Sequence, residues 1–266
     1  MAEVLLAKDP GLFDDGQLAN GKLDKAFRHA VVSIARLGYL TLLRSFFVPS
    51  RLVEWSECVK EMLMEASAAG QLSVVQYMIE QFCLSALQLK PYVLIIVSSV
   101  WTAALNGQHA VCLFLAESLC EMSNLDPRLL RKMRRIVETL RGCCHPDAGM
   151  LFVVKSLIEL GDVSVDGVVK DWRIAFVEPI DDTLRDEVSL RTAAASGQVA
   201  LVQHFLDCGA VVRYDRSSAL QAARKGGHEA VVQLLVSRGA DVAVTECVSL
   251  DAKPAVPSES TPMDLC

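Results

Sequence analysis

Apolar residues recur four, five and eight places after a glycine along this chain. Gly227 is followed in this way by Val231, Val232 and Leu235, and Gly197 by Leu201, Val202 and Phe205. The same register holds after Gly149 (Val153, Val154, Leu157) and Gly107 (Val111, Cys112, Leu115). It holds again after Gly70 (Val74, Val75, Met78) and Gly38 (Leu42, Leu43, Phe46). Three residues so spaced share one face of a 3.6-period helix, which must be buried. A second glycine ends several of these stretches, at Gly161, Gly209 and Gly239, where a left-handed residue commonly stops a helix. Ahead of each opening glycine small residues gather, as in "ASAAG" (66–70) and "AAASG" (193–197). Small side chains let two helices approach closely. Each unit therefore predicts a helix–turn–helix pair whose apolar face only its neighbours can cover.

The stretch "ALQAARKGGHEAVVQLLVSRGADV" (219–242) resembles the second half of an ankyrin repeat, and "SLRTAAASGQVALVQHFLDCGA" (189–210) is a second match. The segments around Gly107 and Gly70 match less closely, and those around Gly38 and Gly149 by register alone. The fold expected is an all-α solenoid of about six stacked units. The anchor glycines lie 32, 37, 42, 48 and 30 residues apart, against a family period near 33. The Thr-Pro-Leu-His opening of the family is absent from every unit. The Gly149 unit carries Pro146 where its first helix should run, so that helix is expected earlier, over Pro127–Arg141, with 142–148 as an inserted loop.

Residues 1–21 read as an N-terminal lead or irregular cap. The repeat domain takes 22–244, with an irregular insertion around 142–188 that has room for an extended finger near Trp172–Val177. Residues 245–266 read as a disordered tail rich in Pro and Ser.

Composition narrows the class. The 266 residues are 52% hydrophobic, which suits a packed core, and only 6% aromatic, which suits close helices more than a sandwich of strands. A net charge of −6 argues against a general nucleic-acid binder. The longest apolar run, Tyr92–Trp101, is about half of what a bilayer span needs, and no secretory leader is visible. Nine scattered cysteines suggest small buried hydrophobes in a reducing compartment. A monomeric cytoplasmic protein with access to the nucleus is the expectation, with protein partners, no membrane and no nucleic acid.

Four features invite chemistry. "GDVSVDG" (161–167) starts like a calcium loop, with Asp162, Ser164 and Asp166 alternating, but the twelfth position is Arg173 where a bidentate Glu is needed. "CCHP" offers Cys143, Cys144 and His145, yet adjacent thiolates share one tetrahedral site poorly and no Cys-x₂-Cys partner exists. "RLLRKMRRIVETLR" (128–141) predicts an amphipathic helix with a basic outer face, either simply solvated or a docking patch for an acidic partner or a phosphate. Thr261-Pro262 is a weak proline-directed phosphorylation site. His228 reads as a turn-stabilising residue, and His109 and His204 have no Cys or Ser partner at fixed spacing. Asp181 and Asp182 read as loop acids. No phosphate-cradling loop, nucleophile elbow or metallohydrolase motif is present.

Resemblance to the ankyrin family implies a non-enzymatic module without cofactor or metal, binding a partner protein on the concave side. It places contacts just before the anchor glycines, at Arg36, Asn106, Ser196 and Lys225. On the preceding fingers it places Arg185, Glu187, Arg213, Tyr214, Asp215, Arg216 and Ser217. Tyr214 with Arg213 and Arg216 makes the strongest anchor cluster, since Tyr and Arg dominate interface hot spots. Tyr214→Ala is expected to leave helical content unchanged and weaken partner capture. The other reading is an enzyme or metal protein with its site in 120–188.

Overall fold

A computed structural model describes residues 25–46, 56–84, 89–122, 125–160, 163–165, 168–170, 182–210 and 218–240. Its architecture is an all-α solenoid, as the glycine register predicts. The helices are α1 (Lys25–Leu37), α2 (Leu40–Phe46), α3 (Ser56–Ala68), α4 (Leu72–Leu84), α5 (Leu89–Leu105) and α6 (His109–Glu121). There follow α7 (Pro127–Gly142), α8 (Pro146–Leu160), α9 (Asp182–Ala195), α10 (Val199–Asp207), α11 (Ser218–Gly226) and α12 (Glu229–Ser237). Among the described residues, consecutive helices pair into six hairpins. Between α8 and α9, β1 (Val163–Val165) and β2 (Val168–Lys170) form a two-stranded antiparallel ribbon with Ser164 opposite Val169.

The predicted stripes are the core. Leu43, Val74, Val75, Met78, Val111, Cys112, Leu115, Val153, Val154, Leu157, Leu201, Val202, Phe205, Val231 and Leu235 are all buried. Leu42 and Val232 are half-buried, and the side chain of Phe46 lies outside the described residues. The alanines before the glycines are just as deep: Ala35, Ala66, Ala103, Ala104, Ala193, Ala194 and Ala223 are 0% exposed. Any larger side chain there would push neighbouring first helices apart.

Five of the anchor glycines adopt the left-handed backbone that links the two helices, with φ between 69° and 79° at Gly38, Gly70, Gly107, Gly197 and Gly227. Gly149 does not. It is buried inside α8, where a Cβ would come 3.1 Å from a Leu140 methyl. The sequence register assigned it a turn because its downstream stripe is in phase. That stripe fixes which helix face is buried and says nothing of what precedes the helix.

The inserted loop expected over 142–148 is likewise shorter than read. Helix α7 runs through Gly142 and α8 starts at Pro146, leaving Cys143–His145 as the turn. Proline is accepted at the first position of a helix, where its missing N–H has no intrahelical partner to lose. The same rule serves α7, where Pro127 opens the helix and the Asp126 carboxylate accepts from the Arg128 N–H at 2.6 Å.

The hairpins are not stacked in simple chain order. First helices pack side by side as α1–α3–α5, then α9–α11. The row passes from α5 to α9 and leaves α7 out. Helix α7 lies instead against α6, and α8 packs on α5 and α10. The α7–α8 hairpin is thus a wedge set among the second helices. The third and fifth hairpins meet across it.

Candidate functional site

Each unit is tied to the one before by the residue after its turn glycine. Gln71 covers Gly38 and Gln108 covers Gly70, so closely that a Cβ on either glycine would overlap the glutamine. Gln198 covers Gly107, skipping the Gly149 unit altogether, and His228 covers Gly197. The buried Gln198 amide donates to the carbonyls of Ala104 (2.9 Å) and Leu105 (2.6 Å). His228 Nε2 lies 2.9 Å from the Ala195 carbonyl, the turn-stabilising role read from the sequence. Gln198 and His228 thereby occupy carbonyls left over at the end of the first helix they cover. The glutamines were missed by sequence reasoning, although each directly follows a turn glycine.

This ladder fixes where the expected contact residues sit. Arg36, Asn106, Ser196 and Lys225 all lie at the ends of first helices or in the turn that follows, along one edge of the row. Arg36 is exposed, its Nε 3.8 Å from a Glu65 carboxylate oxygen. Asn106 and Ser196 come together: Ser196 Oγ is 3.4 Å from Asn106 Oδ1, and the hydroxyl also reaches the Thr192 carbonyl at 2.9 Å. Asn106 Nδ2 donates to the Thr102 carbonyl at 2.8 Å. Lys225 is exposed near the other end of the row. On the same row the guanidinium of Arg28 clasps the Glu61 carboxylate through Nε at 2.8 Å and a terminal nitrogen at 2.5 Å.

Two finger residues are corrected. Arg185 and Glu187 belong to α9, and Glu187 is only 9% exposed. An acid-rich start, "DDTLRDEV", is a helix-opening signal as much as a loop signal, because carboxylates are favoured where N–H groups point outward. Asp182, read as a loop acid, opens the helix. Arg213, Tyr214, Asp215, Arg216 and Ser217 lie outside the described residues, as does the finger placed near Trp172–Val177.

Among the described residues no group of three His, Cys, Asp or Glu is placed to hold a metal ion, and no helix is long and apolar enough to cross a membrane. Cys143 Sγ donates to the His145 carbonyl at 3.2 Å. Of the calcium-loop residues only Ser164 is described, and it sits in β1. His109 Nε2 lies 3.1 Å from the Leu140 carbonyl and helps hold α7 on α6.

The thiols divide more evenly than expected. Cys58 and Cys112 are buried, Cys120 and Cys143 half-buried, and Cys144 and Cys208 exposed. Burial pushes the Cys58 thiol up to about 11 and Cys112 higher still. At pH 8 with iodoacetamide, peptide mass spectrometry should find Cys144 and Cys208 alkylated while Cys58 and Cys112 stay unmodified until denaturant is added. Early labelling of Cys112 would contradict the packing of α6 against α5.

A solenoid of small-residue helical hairpins with glycine turns defines a helical repeat protein. Residues 215–246, which hold α11 and α12, match the Ankyrin repeat family model, so the resemblance read from the sequence holds there. No curated protein matches the chain.

Proposed function

We propose that the chain is a non-enzymatic adaptor that grips a partner protein along the concave edge of its first-helix row. Ankyrin repeats are in general protein–protein interaction modules, which supports the class of function. The observation carrying the finer reading is the Asn106–Ser196 contact. It makes one continuous edge from Arg36 to Lys225 in spite of the wedge, long enough to offer several separate anchors. Arg213–Ser217, just ahead of α11, extend the proposed contact list.

Two exposed ends of the edge test this. Arg36→Glu with Lys225→Glu should keep the circular dichroism of the native protein and weaken affinity for a captured partner by roughly tenfold or more, the scale of interface anchors. Gln233→Glu, on the exposed face of α12, should leave affinity unchanged. Equal loss in both variants, or loss in neither, would remove the concave edge as the binding surface.

A further inference from the structure

Four cations on α7 recur at i, i+3, i+4 and i+7: Arg128, Arg131, Lys132 and Arg135. That spacing puts them on one helix face, flanking the buried stripe of Leu129, Met133, Ile136 and Leu140. Like charges four apart destabilise a helix, and Arg128/Lys132 and Arg131/Arg135 are two such pairs. Packing alone asks only that this face be polar. It does not ask that it be of one sign.

The four cations line a cleft of about 370 Å³ between α7 and the end of α8, closed on the far side by Glu159 and Leu160. Lys132 is engaged with Glu159 at 2.5 Å. Among the described residues Arg128, Arg131 and Arg135 form no ion pair, and Arg131 Nε donates to the Pro127 carbonyl. The field is felt by the one acid present. The hydrogen bond and charge of Lys132, and then the charges of Arg135 and Lys155, hold the Glu159 carboxyl below its ordinary range.

We propose that this cleft is a second docking site, for a phosphorylated segment of a protein partner, separate from the concave edge. Three guanidinium forks around one hollow match a phosphate's planar pairs of oxygens better than ammonium groups would. The volume is on the order of ten waters, room for a phosphate and the side chain that carries it. A membrane or a nucleic acid presents a broad row of anions. Such a row would meet Glu159 at the rim and Glu138 on the same helix, on a chain whose net charge is −6. A single phosphate needs only the three guanidiniums that Glu159 does not engage.

The test uses the full chain at 0.15 M salt and immobilised degenerate peptide pools with phosphothreonine, threonine or glutamate at a fixed central position. Retention should be about tenfold stronger on the phosphothreonine pool than on either other pool. Arg128→Glu with Arg135→Glu, both exposed, should abolish that preference without changing circular dichroism. Arg128→Lys with Arg135→Lys should retain part of it, because charge survives and the fork does not. Arg36→Glu with Lys225→Glu should leave it intact, which separates this site from the concave edge. Equal retention on all three pools, a preference surviving the double charge reversal, or binding to phosphatidylserine vesicles or oligouridylate in place of the phosphopeptides would overturn the proposal.

Discussion

Leu157→Ala should destabilise the array by about 2–5 kcal/mol, the largest single effect expected in this protein. Leu157 is fully buried on α8, the helix that packs on α5 and α10 as well as on α7. Truncating it leaves a cavity where two halves of the solenoid meet. A repeat array does not unfold in one step, so native-state amide exchange is the measure. Protection should fall in α8 and also in α5 and α10. Loss confined to α8 would mean that the hairpin hangs on the side of the solenoid instead of wedging it.

Gly197→Val should loosen the C-terminal hairpin by about 2–3 kcal/mol. Gly197 has φ 73°, where any L-residue costs about 1–2 kcal/mol and a β-branched one is worse placed still. Its Cβ would also overlap the His228 ring, and moving the ring breaks the contact with the Ala195 carbonyl, worth about 1 kcal/mol. Gly227 separates the two causes. Its φ is 72° but nothing lies within 4 Å of a Cβ there, so Gly227→Ala should show the backbone cost alone. Amide exchange should report lost protection across 218–240 in Gly197→Val, and a smaller loss in Gly227→Ala. Equal losses would mean that His228 does not couple the last two hairpins.

These two positions also show what a sequence can carry. Gly197 and Leu157 were both found by one register of glycine and aliphatic residues, because a helix face that must be buried repeats every three or four residues. The same register failed at Gly149. A stripe in phase does not reveal whether the chain upstream turns or is already helical, and Pro146 was read as a breaker when it starts α8. The order of stacking was not legible either. Nothing local in Gln198 distinguishes reaching the Ala104 and Leu105 carbonyls, 94 and 93 residues away, from covering the unit just before it. Of the contact residues, Asn106 and Ser196 were legible as belonging to one edge, since their place before a turn glycine sets their position in the row, but their meeting across the wedge was not. Arg185 and Glu187 were misplaced because acids serve loops and helix starts alike.

The contact between the third and fifth hairpins is tested most directly by a cross-link. Asn106→Cys with Ser196→Cys puts two thiols where side-chain atoms now lie 3.4 Å apart, 90 residues distant in the chain. Mild oxidation followed by peptide mass spectrometry should find positions 106 and 196 joined, in protein that keeps its helical content. If the thiol at 196 pairs instead with Cys143 or Cys144 of the inserted hairpin, the units are stacked in chain order and the wedge does not exist.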